Sequence, residues 1–342
     1  MLRKILSIIA CLLLIAVAAA YWLYSDFKLY IATPLNFSDN EVIVIDKGLP
    51  FNGLVNKLKS KNDNINIYYL KFYARQTGLG RKIKAGEYHL TSDMTPVMLM
   101  KKLTSGRSIN YNFTIIEGSN YKQLLAALQS NQYLKNDIEG LSPEQLLEQL
   151  DTEYKHLEGL FLAETYSFEK NSSAFALLKR SHKMLVDRLE QQWASRYEKL
   201  PYKSAYEALI MASIVEKETA RADERPIIAG VFVRRLNIGM RLQTDPTVIY
   251  GMGDNYKGNI RRSDLRKPTP YNTYTISGLP PTPIAMVGPD AITAALHPKE
   301  GKALYFVAKG DGSHYFSSTL REHNNAVKKY QLSRRKDYRS SP

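Results

Sequence analysis

The chain of 342 residues reads as an α+β protein: an N-terminal transmembrane helix, a small α+β module and a larger mixed α+β domain. Three observations predict this. An uncharged apolar run opens the chain. Short β-branched runs alternate with segments of helical spacing, with no regular βαβ repeat. Turn-rich stretches separate two such blocks.

The apolar run, Ile5 to Leu23, has close to the roughly 20 residues that a helix needs to cross a bilayer. Arg3 and Lys4 precede it, which places residues 1–4 in the cytoplasm. Tyr21, Trp22 and Tyr24 close it as an aromatic belt, so the membrane segment is set at 5–24 and the body on the outer side of the membrane. A cleaved signal peptide fits less well, because bulky aromatics follow Ala18-Ala19-Ala20. A lipoprotein signal would end at Cys11, yet the apolar run continues past it. Cys11 is the single cysteine, so the chain has no disulfide of its own.

Tyr24 to Asn40, with Pro34, reads as a linker. Glu41–Ile45 is a strand by its β-branched run, and Leu49–Leu58 has helical spacing. A helix over 67–76, closed by Gly78 and Gly80, a strand over 83–90 and a helix over 94–103 complete a module spanning 41–108. A strand at Phe113–Ile116 opens the larger domain, 110–331. Helices follow over 121–129, 143–150, 173–199 and 204–221. From Gly239 to Pro289 loops and short strands dominate. A helix over 290–296, a strand over 304–307 and a helix over 319–330 close it, and the basic, polar end, 332–342, reads as a disordered tail.

The net charge of +14 invites a nucleic-acid reading, but Lys and Arg are scattered along the chain. Nucleic acid is therefore not the expected partner; an anionic membrane or wall polymer accounts for the charge as well. No paired-histidine or cysteine-cluster metal signature, phosphate loop or nucleophile elbow is present, so neither metal nor cofactor is expected.

The chemistry concentrates on carboxylates. The helix from Ser204 opens on a Ser204/Glu207 capping box and continues as ALIMASIV, apolar on every side and hence buried. Glu216 and Glu218 end that stretch. Residues two apart on a helix point in different directions, so the two cannot share one site. Glu218 follows Met211 and Ile214 along an apolar stripe, where a carboxyl's proton affinity rises. Glu216 is expected to pair with a base such as a nearby arginine. From the helix alone, the stronger reading is that both are structural ion pairs at a helix end. Downstream, Gln243-Thr244-Asp245 and Tyr271-Asn272-Thr273-Tyr274 offer the hydroxyls, amides and rings that suit sugars. His314 is a candidate base, although a lone histidine is more often structural.

Several long stretches occur in fixed order: LEGLFLAETYSF, ASIVEKETA, Arg234-Arg235-Leu236, LQTDPTVIYG, YNTYTISGLPPTPIA and HYFSSTLREHN. Together they resemble the YceG-like endolytic murein transglycosylases, the MltG family. Ala163-Glu164 stands where the family usually has Pro-Asp, and Met286-Val287-Gly288 where it usually has Asn-Pro-Gly. The resemblance implies a LysM-like module at about 41–108 and Glu218 as the single catalytic acid/base. It further implies cleavage of the MurNAc–GlcNAc bond in nascent peptidoglycan glycan strands, leaving 1,6-anhydro ends and terminating strand elongation, with membrane peptidoglycan synthases as partners. Gln243, Thr244, Asp245, Tyr271, Asn272, Glu164 and His314 are the candidate substrate-binding residues. The alternatives are a muramidase-type hydrolase with Asp245 or Glu164 as second carboxylate, and a non-catalytic wall-binding scaffold.

Overall fold

A computed structural model describes residues 2–332, so the expected disordered tail lies outside the described residues except for Leu332. In chain order the elements are α1 (Leu2–Ala32), β1 (Glu41–Ile45), α2 (Phe51–Lys61), α3 (Ile67–Thr77), β2 (Gly86–Leu90), α4 (Pro96–Ser105), β3 (Asn110–Thr114), α5 (Tyr121–Gln129), β4 (Leu134–Lys135) and α6 (Pro143–Leu150). They continue with β5 (Thr165–Glu169), β6 (Ser172–Ser173), α7 (Ala174–Ala194), α8 (Ala205–Glu218), α9 (Arg225–Asn237), α10 (Asp245–Met252), α11 (Arg262–Arg266), α12 (Pro289–Leu296), β7 (Tyr305–Ala308), β8 (His314–Ser317) and α13 (Leu320–Val327). The result is a mixed α+β chain with one long apolar N-terminal helix. Two compact units divide it: the chain up to Tyr111 with Phe168–Lys170, and Asn112–Ser167 with the chain from Asn171.

In the first unit β1 and β2 pair antiparallel, Glu41 opposite Leu90 and Ile45 opposite Gly86, with α2 and α3 between them in sequence. Ile43, Ile45, Leu54, Leu58, Leu70, Leu90, Leu99 and Leu103 fill the core with Tyr88, whose hydroxyl donates to the Lys84 carbonyl at 3.0 Å. Asn66 caps α3 by accepting from the Tyr68 and Tyr69 amides. The segment expected to be a linker is ordered. α1 runs on to Ala32, and Phe27 is buried, edge-on to Tyr69 and Phe72. Leu35 and Phe37 join the core, the former through its amide to the Met94 carbonyl at 2.9 Å. Burial of these scattered apolar residues, which show no period of their own, overrides the linker signal of Pro34.

In the second unit α8 is the central helix, packed by α7, α9, α10 and α12. Residues Ala208 to Glu216 are all buried, as an all-round apolar helix requires. The capping box is modified: Ser204 accepts from the Glu207 amide, but the Glu207 carboxylate reaches the Lys203 amide rather than that of Ser204. α9, α10, β5 and β8 fall where no regular element was expected. α9 carries Ile227, Ile228, Val231 and Val233 with Gly230, a composition of poor helix propensity that burial on several sides overrides. Gly230 has a packing reason, because a Cβ there would overlap the Lys299 carbonyl.

Candidate active site

α8 ends at Glu218 because Thr219 is extended and its hydroxyl accepts from the Arg221 amide at 3.1 Å, short of the expected end at Arg221. The two glutamates part company there. Glu216 is buried and takes a hydrogen-bonded ion pair from Arg225 at 2.9 Å and the Gly288 amide at 2.9 Å. Glu117 and Asp290 also reach Arg225. This is the arginine pairing expected for Glu216, whose own side chain is almost fully enclosed. Burial raises the Glu216 pKa, with the Gly288 amide and Arg225 pulling against it.

Glu218 is half-buried and receives the hydroxyl of Thr244, which donates to Oε1. Burial pushes its pKa up to about 7; the Thr244 bond opposes this, the negative charge of Asp245 adds to it, and the Arg235 guanidinium opposes it again. Such a carboxyl holds its proton near neutrality and releases it readily, the requirement for a group that serves as acid and then as base.

Two loops hold the partner of Glu218. Gln243 sits in the left-handed region (φ 51°), a conformation that costs a non-glycine residue about 1 kcal/mol or more. It aims Thr244 inward. Thr244 is the N-cap of α10, yet its hydroxyl caps no amide, because it is turned to Glu218. Its amide donates to Thr273 Oγ1 at 3.0 Å, and the Gln243 amide to the Thr273 carbonyl at 3.2 Å. Asp245 begins α10, exposed, and accepts from the Tyr274 hydroxyl at 2.6 Å. Asn272 is buried: its amide group donates to the carbonyls of Asp264, Leu265 and Lys267, and its oxygen accepts from the Tyr274 amide. Asn272 thus shapes the loop rather than facing outward. Tyr271 lies edge-on to Tyr250 (ring centroids 4.8 Å) and shares a hydrogen bond with Thr282.

The structure therefore gathers Gln243, Thr244 and Asp245 with Glu218, and stitches the Tyr271–Tyr274 loop to them. Two candidates lie elsewhere. Glu164 is exposed before β5, its carbonyl accepting from the Ile115 amide. His314 on β8 is clasped by the buried Glu224, which accepts from its amide (2.9 Å) and contacts its Nδ1 (2.6 Å).

Three residues were missed. Arg235, buried, anchors the Leu242 and Leu304 carbonyls and bears electrostatically on Glu218. Thr273 ties the two loops. Glu158, buried, accepts from the Tyr121 amide and, at 3.1 Å, from the Tyr250 hydroxyl of α10, and burial pushes its pKa up to about 7. The Leu-Glu-Gly triplet was the available signal for Glu158, since Gly159 holds φ 74° where a Cβ would overlap the Pro283 ring.

Glu218 is thus a carboxyl that holds its proton to about pH 7 at the end of a buried helix, faced by a hydroxyl-rich double loop. The chain belongs to the YceG-like family, whose model matches residues 43–329. It is 35% identical over 310 residues to a protein of Bacillus subtilis named endolytic murein transglycosylase, covering 84% of each. Proteins of Streptococcus pneumoniae with the same name are 27% identical over 293 residues, 75% of this chain and 52% of theirs. Among solved structures, a YceG-like protein of Listeria monocytogenes superposes with a TM-score of 0.52 at 30% identity, covering 83% of this chain and 98% of that one.

Proposed function

We propose that this chain is an endolytic lytic transglycosylase that cleaves the MurNAc–GlcNAc bond within peptidoglycan strands, with Glu218 as its acid/base. The observation that carries the residue assignment is the half-buried Glu218 carboxyl, its pKa pushed to about 7 and its Oε1 held by Thr244. Family membership and the names of its relatives carry the reaction class.

In the first half of the reaction the protonated Glu218 gives its proton to the glycosidic oxygen as the bond from muramic C1 breaks. GlcNAc leaves with a free 4-hydroxyl. The resulting carboxylate removes the proton of the muramic C6 hydroxyl as O6 closes on C1. The 1,6-anhydro ring forms, Glu218 is reprotonated, and no water enters. Thr244 holds the carboxylate between the halves, and Gln243, Asp245 and Tyr271 contact the sugars. Asn272 keeps their loop in shape. The strand–helix–helix–strand order of the first unit supports a LysM-like, wall-binding reading. α1 serves as an inner-membrane anchor with a cytoplasmic N-terminus, which brings the enzyme beside membrane peptidoglycan synthases and nascent strands.

Glu218→Gln incubated with purified glycan strands should lose roughly 100-fold or more in rate while the chain still melts as a folded protein. Anhydro-ended products at the native rate would sink the assignment. The charge of Asp245 beside Glu218 favours, as a second reading, a hydrolase with two carboxylates. Mass spectrometry separates the two, because reducing ends are heavier by one water.

A further inference from the structure

We propose that the exposed face of α3, with the basic turn that follows it, rests on the anionic phospholipid surface of the membrane that α1 crosses. This rests on the reading of α1 as a bilayer anchor. Three observations carry it.

The first is an aromatic stripe left uncovered. Tyr68 is 83% exposed and Phe72 54%, four residues apart on α3, and Arg75 continues the same face. Leu70 and Ala74 on the opposite face enter the core. A folded unit of this size has no internal reason to present two large rings side by side to water.

The second is where that face lies along α1. The start of α3 meets the far end of α1: the Asn66 amide donates to the Tyr30 hydroxyl at 3.1 Å. Three residues on, Tyr69 donates to Asp26 at 2.6 Å, and Phe72 meets Phe27 edge-on at 5.0 Å. α3 therefore runs back along α1 toward its apolar run. Arg75 and Gln76 follow Phe72 at the end of α3, beyond its contact with Phe27. Tyr21, Trp22 and Tyr24, exposed on α1, come within six residues before Phe27, so the stripe on α3 meets α1 just past its aromatic belt.

The third is charge. From Asn64 to Gly86 the chain holds Lys71, Arg75, Arg81, Lys82 and Lys84 and no acidic residue. Among the described residues, none of Lys71, Arg75, Arg81 and Lys82 is in an ion pair, and Arg75, Arg81 and Lys82 are exposed. Arg81 closes the 3-10 turn Leu79–Arg81 that follows the membrane-facing end of α3, with Lys82 next to it. Rings that settle at the headgroup level beside unpaired cations fit an anionic bilayer surface.

The test uses the full chain in vesicles with phospholipids brominated near the headgroup, which quench nearby tryptophan. Two single-tryptophan chains are compared: Trp193→Phe, which keeps Trp22, and Phe72→Trp with Trp22→Phe and Trp193→Phe. Both should be quenched in phosphatidylglycerol vesicles, and the Phe72→Trp reporter should lose its quenching in phosphatidylcholine vesicles or high salt. Quenching of Trp22 without the Phe72→Trp reporter overturns the docking and leaves the anchor standing. Quenching of neither overturns the anchor reading and the docking with it. Equal quenching of the reporter in both lipids overturns the anionic preference. A reporter that answers to added glycan strands and not to lipid assigns the face to glycan instead. Thermal melts of both chains establish that each is folded.

Discussion

Glu218 and Glu158 both hold protons to about pH 7 in the folded chain, and in an unfolded chain each would release them near the ordinary glutamate value of 4.5. Between those values the folded state binds more protons. The stability this represents is complete below about pH 4.5 and is lost as pH rises through about 7. Glu158→Gln should therefore raise the melting temperature relative to the parent more at pH 8 than at pH 5, read by thermal melts across that range. Activity should fall above about pH 7, where Glu218 no longer starts as an acid. Thr244→Val removes the bond that lowers this pKa, so the alkaline limb of kcat/KM should move to higher pH, with a rate loss of about tenfold or more. Glu218 was half legible from its apolar stripe, and the arginine for Glu216 was foreseen in kind. Glu158 was not, because a glutamate between Leu157 and Gly159 carries no periodic signal of burial.

At the scale of elements, Gly159 joins the Glu158 turn to the Pro283 loop with φ 74° and no space for a side chain. Gly159→Ala should destabilise the second unit by about 2–4 kcal/mol, measured by urea unfolding, through strain and overpacking together. Glu216→Ala removes the most buried of the three carboxylates on Arg225, leaving Glu117 and Asp290, and should cost about 1.5–3 kcal/mol, a loss of stability rather than of chemistry alone. The helices with caps and a clean apolar face (α3, α5, α6) were read nearly to the residue. α9 was lost because its burial on several sides erases the 3.6 period on which such reading depends, and its β-branched residues argue for a strand. The short β8 has too few residues to declare a period of 2.

At the scale of the whole molecule, two units with separate cores predict two heat-absorption transitions in calorimetry. Phe27→Ala, which empties the seat between α1 and α3, should lower only the one belonging to the first unit, by about 3–5 kcal/mol. The mixed α+β character and the long apolar helix were legible as composition and pattern. That Leu35 and Phe37 fold back into the core was not, because two isolated apolar residues after a helix look like any tether. α1 enters the first unit without a break, so the unit inherits the rotational phase of the helix. If α1 anchors the chain as proposed, one alanine inserted between Tyr24 and Ser25 should turn everything beyond it by about 100° and swing Tyr68 and Phe72 off the bilayer, while the Asp26 and Phe27 contacts to α3 are kept. Seven inserted residues, about two turns, would bring them back into phase but about 10 Å too high. On the proposed anchoring, the length of α1 is thus a gauge of height and phase.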